Sequence, residues 1–121
     1  MKKTNPNSNL KDSNLDHEQY LYLTTRGRKS GRPREIEIWF TQRDGRFYLI
    51  AEYPTSHWLR NLQADPAASI RVAEKNIKVR ARLIDRETEA ELHRSIAEIS
   101  RQKYGWGDGT VVELAADSPG S

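Results

Sequence analysis

The sequence predicts a small, mainly β protein: a barrel of antiparallel strands, with one short and one long helix filling gaps and closing an end. Three observations lead there. Short runs of alternating apolar and polar residues recur between Tyr20 and Leu83. Asp44-Gly45 lies between two of them, the strongest short signal for a two-residue hairpin. Only two segments carry helical spacing, one of about two turns and one of about four. At 121 residues, of which 36% are hydrophobic, the chain suits one domain with one economical core.

The elements follow in order. Residues 1–17, "MKKTNPNSNLKDSNLDH", are rich in Asn, Ser, Lys and Asp and contain no aromatic residue. Such a segment buries too little to offset its ordering entropy, so it reads as a disordered polar tail. Residues 18–115 read as the single barrel domain and residues 116–121 as a second tail. "QYLYLTT" is a first strand. "REIEIWFTQ" places Ile36, Ile38 and Phe40 on one face and Glu35, Glu37, Trp39 and Thr41 on the other, a half-buried strand. "RFYLIAE" returns from the Asp44-Gly45 turn as its partner. "TSHWLRNLQADP" is the short helix, capped by Thr55 or Ser56, stopped by Pro66, with Trp58, Leu59 and Leu62 as its buried stripe.

"AASIRVAEKNIKVRARLID" reads as a second hairpin turning near Glu74 to Asn76. It turns Ile77, Val79, Ala81 and Leu83 inward and Lys78, Arg80 and Arg82 outward. "RETEAELHRSIAEISRQKYG" is the long helix, with Leu92, Ile96 and Ile99 on its apolar face, Gly105 at its end and His93 on its surface. Glu87, Glu89 and Glu91 occupy its first turns, where they favour the helix dipole. "GTVVEL" is a last short strand.

Several chemistries are excluded. With no cysteine there is no disulfide, thiolate metal site or cysteine nucleophile. No apolar run approaches the roughly 18 residues of a membrane span, and the N-terminus has no hydrophobic signal core, so a cytoplasmic protein without membrane contact is expected. His17, His57 and His93 have no metal-ligand spacing, and no metal is expected.

One segment stands apart. "LTTRGRKSGRPREIEIWF" packs Arg26, Arg28, Lys29, Arg32 and Arg34 into nine positions with Gly27, Gly31 and Pro33 between them. The chain carries a formal charge of only +3, so this density is local. Glycine lets backbone approach a ligand closely, Arg offers planar paired donors to an oxyanion, and Lys adds a point charge. The segment therefore reads either as a solvated charged face or as an anion cradle, for a cofactor phosphate or a nucleic-acid backbone. It has neither the glycine order of a P-loop nor that of a dinucleotide fingerprint. Further on, "KYGWGDG" sets Tyr104 and Trp106 in a glycine-rich bend, suited either to packing a core edge or to walling a planar ligand.

Three stretches resemble the deazaflavin-dependent nitroreductase and quinone reductase family: Thr24 to Arg34, the hairpin "DGRFYLIAE", and "HWLRNLQADPAASIRV" with Trp58, Asn61, Leu62 and Pro66. The resemblance covers Leu21 to Val72. It implies a split β-barrel of the flavin-reductase and pyridoxamine-oxidase type, with reduced deazaflavin coenzyme F-420 as hydride donor and a planar, electron-poor acceptor such as a quinone or nitro compound. It further implies that Arg28, Lys29 and Arg34 hold the cofactor's phosphate side and that Ser30 and Gly31 offer hydroxyl and backbone groups. Trp58 and Asn61 would lie beside the cofactor. Tyr104, with Trp106, would line the substrate pocket, and the Tyr104 hydroxyl would donate a proton or hydrogen bond to the acceptor. A homodimer is expected by analogy. The segment before the Trp58 helix, Glu52 to Ser56, is shorter than the Gly- and Pro-rich loop of the best-known members.

Other readings stay open at this level. FMN on the same fold is the first alternative cofactor. A nucleic-acid-binding small barrel gains support from Lys78, Arg80 and Arg82 on one strand face, and loses it to the 17 acidic residues. A cofactor-free scaffold is the last.

Overall fold

A computed structural model describes residues 15–117. The elements are β1 (Tyr20–Arg26), β2 (Pro33–Trp39), β3 (Thr41–Arg43), β4 (Arg46–Ala51), α1 (His57–Ala64), β5 (Ala67–Val72), β6 (Lys75–Leu83), α2 (Ala90–Tyr104) and β7 (Thr110–Ala116). Every strand pairing is antiparallel, in the order β2-β1-β5-β6-β7-β4-β3. β2 and β3 stand at opposite ends of that order yet are separated in the chain by Phe40 alone. The chain thus ties the two ends of the sheet together and rolls it into the expected barrel. β2 is paired to β1 only, so the barrel is split along the other edge of β2.

The sequence pattern makes one strand of Arg34 to Gln42, and the structure makes two. A side chain causes the break. The Tyr104 hydroxyl accepts a hydrogen bond from the Phe40 N–H at 3.0 Å and lies 2.7 Å from the Phe40 carbonyl, so neither group is left for a ladder. The hairpin is formed as read, with Arg43 opposite Arg46 and both Asp44 and Gly45 at positive φ, as a type I′ turn requires. The second hairpin turns on Ala73 and Glu74, a residue earlier than expected, with the same pair of positive φ values.

The barrel interior is filled by Leu21, Leu23, Phe40, Phe47, Leu49, Ile70, Val72, Val79, Val112 and Leu114, with Leu59 and Leu62 of α1 closing one end. α2 covers part of the outer surface, where Tyr48, Ile84, Ile96 and Val111 make a second apolar cluster. β7 is therefore buried on both faces, which is why "VVEL" reads as a continuous run rather than an alternating one.

The tail expectation is corrected at its end. Residues 1–14 lie outside the described residues, but Leu15 is only 6% exposed, joins the core, and donates its N–H to Gln42 Oε1 at 2.7 Å. At the other end Ala116 still belongs to β7, and residues 118–121 lie outside the described residues. Leu83, expected inside, is exposed: β6 ends there, and Ile84 takes the buried place beneath α2.

His93, expected on the surface, is 8% exposed, because α2 buries the stripe His93, Ile96, Ala97 and Ser100. Ser56 occupies the N-cap position of α1 but donates its hydroxyl to the Tyr53 carbonyl instead of capping. Of the three glutamates assigned to the start of the long helix, only Glu91 is in its first turn. The Asp85 carboxylate accepts from the N–H groups of Glu87 and Thr88 and holds that stretch in a turn of its own.

Candidate cofactor and acceptor site

The basic segment forms the loop between β1 and β2, and the loop is closed on itself. The Gly27 N–H donates to the Arg32 carbonyl and the Gly31 N–H to the Gly27 carbonyl, both at 2.8 Å. Ser30 Oγ accepts from the Arg32 N–H at 3.1 Å and stands 3.5 Å from the Arg34 guanidinium. A side chain at Gly27 would bring its Cβ to 2.7 Å from Ser30 Oγ and 3.2 Å from the Arg32 carbonyl oxygen, so the loop is packed closely about this residue.

α1 fixes the loop from below. Asn61, 4% exposed, accepts from the Arg28 backbone N–H at 3.2 Å and from the Arg28 guanidinium at 2.8 Å through Oδ1, and its Nδ2 donates to Thr25 Oγ1 at 3.0 Å. The other guanidinium nitrogen of Arg28 lies 3.3 Å from His57 Nδ1. Within this frame Gly27, Arg28, Lys29, Ser30 and Arg34 surround a cavity of about 590 Å³ with Ile36, His57, Trp58 and Asn61. Among the described residues, none of Arg26, Arg28, Lys29, Arg32 and Arg34 is ion-paired with a carboxylate. A cluster of unpaired cations with convergent N–H donors fits an anion of phosphate or carboxylate type.

A second cavity, also of about 590 Å³, continues along β2 toward the end of α2. The first takes Arg34 to Ile36 of that strand and the second takes Glu37 to Trp39. Its walls are mainly aromatic and apolar, with Trp39, Tyr48, Ile50, Tyr104 and Trp106, and Glu37, Glu52, Thr41 and Ser100 also line it. Trp39 and Tyr104 stack with ring centroids 4.3 Å apart and planes 4° from parallel. Trp106 is set in place by the bend after α2. Gly105 takes the left-handed conformation, and Gly107 lies so close to the Ala97 carbonyl that a side chain there would collide with it.

The structure brings Arg28, Lys29, Ser30, Arg34, Trp58 and Asn61 together at one cavity and Tyr104 and Trp106 at the next. Two expected roles change. Gly31 faces away from the first cavity into a shallow hollow beside Ala64 and Asp65, and its N–H is committed to Gly27, so it shapes the turn. The Tyr104 hydroxyl lies between the carbonyls of Gln19 and Phe40, each at 2.7 Å, and its single proton is held there; burial pushes its pKa up. It is a strut for the β2–β3 break, not a donor into the cavity.

Sequence reasoning missed Thr25, His57, Ile36, Trp39 and Thr41 as site residues. A bulky Trp39 on the outward face of a half-buried strand was the one available signal. Among the described residues no group of three or more His, Asp or Glu side chains is placed to share a metal ion, and no helix is long and apolar enough to cross a membrane.

A model of the family described as F420H(2)-dependent quinone reductase matches residues 5–111. The chain belongs to this family. Its expected fold class, oxidoreductase chemistry and deazaflavin cofactor are those of the family. Solved structures with the same fold include an F420-H2 dependent reductase, at 20% identity and a TM-score of 0.60, covering 79% of this chain and 93% of that one. A FAD-binding protein from Mesorhizobium loti aligns at 14% identity and a TM-score of 0.65, covering 86% and 85%. The heme storage protein HutZ of Vibrio cholerae aligns at 17% identity and a TM-score of 0.67, covering 91% and 89%.

Proposed function

We propose that this member of the family binds the anionic arm of coenzyme F-420 in the cavity of Arg28, Lys29, Ser30 and Arg34, and a quinone in the adjoining cavity of Trp39, Tyr104 and Trp106. The observation that carries the reading is the placement of a cluster of unpaired cations and an aromatic-walled cavity end to end along one strand. When bound, the reduced deazaflavin supplies the hydride. The chain's own work is binding, orientation and exclusion of water. Arg28, held by Asn61 and His57, and Arg34, beside Ser30, present fixed donors to the anion. Trp58 lines the same cavity. The stacked Trp39 and Tyr104 rings give a flat apolar wall suited to a planar acceptor.

A homodimer is part of the same proposal. Trp39, 45% exposed, and the exposed Tyr20 and Tyr53 are large apolar side chains that a second copy would cover.

Fluorescence titration with F-420 and with FMN, side by side, tests the cofactor assignment. Each charge-assisted hydrogen bond contributes roughly 1.5–3 kcal/mol, so Arg34→Ala is expected to weaken F-420 binding by about tenfold or more. Arg34→Lys should also weaken it, because a planar fork becomes a point charge. Unchanged affinity in both variants, or tighter binding of FMN than of F-420, overturns the assignment. A nucleic-acid binder would instead lose affinity gradually over many Lys and Arg changes and steeply with salt. Arg82, one of the cations that favoured that reading, is committed to Glu89 and Glu113.

A further inference from the structure

The second cavity is lined by one buried side-chain polar group that has no partner in the fold. Thr41 lines the cavity, is 1% exposed, and its hydroxyl oxygen is the one buried side-chain polar atom without a hydrogen-bond partner among the described residues. Buried hydroxyls nearly always have a partner, and an orphan in a folded protein points to a water or a ligand that completes it.

The nearest hydroxyl and ammonium protons are committed elsewhere. The Tyr48 hydroxyl, on the residue directly opposite Thr41, donates to Glu113 Oε2 at 3.0 Å. The Tyr104 hydroxyl and the Lys103 ammonium both serve the Phe40 carbonyl, at 2.7 and 3.1 Å. The Thr41 hydroxyl itself has no partner among the described residues, and the wall around it includes Trp39, Tyr104, Trp106 and Ile50, with Glu37 and Glu52 also lining the cavity. A largely aromatic cavity whose uncommitted donors are the buried Thr41 hydroxyl and the indole N–H groups of Trp39 and Trp106 suits a planar molecule bearing a carbonyl oxygen.

We propose that the Thr41 hydroxyl donates a hydrogen bond to a carbonyl oxygen of the bound acceptor and so selects quinones over carbonyl-free aromatic molecules of the same shape. The inference rests on the reading of this cavity as the acceptor site, and names the residue that gives it chemical preference. Thr41 does not take part in proton or hydride transfer. It orients the acceptor and discriminates.

The test is equilibrium dialysis of the full-length protein, saturated with oxidised F-420, against 1,4-naphthoquinone and separately against naphthalene. The absence of cysteine removes thiol adducts of the quinone as a complication. Thr41→Val keeps the volume and deletes the donor; Thr41→Ser keeps the donor. Loss of one neutral hydrogen bond corresponds to a roughly three- to tenfold weaker naphthoquinone Kd for Thr41→Val. Thr41→Ser is expected within about twofold of the unmodified protein, with naphthalene binding unchanged throughout and the Tm of Thr41→Val not lowered.

The assignment is overturned if Thr41→Val binds naphthoquinone as well as the unmodified protein does, or if it loses affinity for both ligands by the same factor. A Tm drop of more than a few degrees in Thr41→Val also overturns it, since the hydroxyl would then be serving the fold. If the unmodified protein binds neither ligand, the reading of the cavity itself fails, and Thr41 falls with it.

Discussion

Replacing Asn61 by Ala should damage the fold and the cradle together. The amide makes three hydrogen bonds: two accepted from Arg28, one of them from the charged guanidinium at 2.8 Å, and one donated to Thr25 Oγ1 at 3.0 Å. A hydrogen bond to a charged group contributes roughly 1.5–3 kcal/mol and a neutral one about 0.5–1.5. The Arg28 guanidinium can rotate to water, so its share is largely recovered in the variant. Thr25, itself buried, cannot reach water, and the Arg28 N–H is only partly accessible. The net cost is therefore about 2–3 kcal/mol, which in a domain of this size lowers Tm by roughly 10–20 °C. Thermal unfolding followed by circular dichroism measures it.

A companion variant separates the clamp from the ligand contact. Asn61→Asp retains an acceptor for both Arg28 donors, and the Thr25 hydroxyl can turn to donate to it, so Tm should stay near that of the unmodified protein. The new carboxylate sits in an anion site, so F-420 binding should fall by tenfold or so. A Tm for Asn61→Ala within about three degrees of the unmodified protein would refute the clamp, because the orphaned Thr25 and Arg28 groups would then have cost nothing.

Two further predictions concern the fold. Leu15→Ala should cost about 2–3 kcal/mol, measurable by urea denaturation, because the side chain joins the core; a cost under about 0.5 kcal/mol would return Leu15 to the polar tail. Burial, reinforced by Arg86, holds the His93 imidazole below the 6.5 of a free histidine. The unfolded chain takes up a proton as pH falls through 6.5 while the folded chain resists it, so stability is undiminished above that value and is lost as pH drops toward the folded pKa. His93→Gln should flatten the difference between urea midpoints taken at about pH 7 and about pH 5, and an unchanged difference would place the pH dependence elsewhere.

Much of this was legible in the sequence, for reasons that differ by element. The Asp44-Gly45 turn was readable because positive φ at two successive positions is a local requirement that few residue pairs meet. The grouping of Arg28, Lys29, Ser30, Arg34, Trp58 and Asn61 around one cavity was expected because glycines, cations and the Trp58–Asn61 pair match the family's motif. The errors share one cause: they depend on what another part of the chain does. Nothing near Phe40 announces that a tyrosine 64 residues away will take both of its backbone groups and split a strand. His93 looks like a surface residue in its own helix and is buried because the barrel's outer face lies against that stripe. Leu15 sits in a polar segment and is drawn in by Gln42 across the barrel.

The split at Phe40 matters beyond the accounting of strands. The Tyr104 hydroxyl ends β2 at Trp39, and residues of β2 line both cavities. The same side chain stacks its ring on Trp39 and so fixes the wall of the second cavity while its hydroxyl makes the break. The resemblance implies a chemical role for Tyr104, which lines the second cavity but has its hydroxyl committed to backbone groups. Its work, though, is architectural: one phenol sets the geometry of the opening, and the polar recognition inside that opening is left to the residue that follows the break, Thr41.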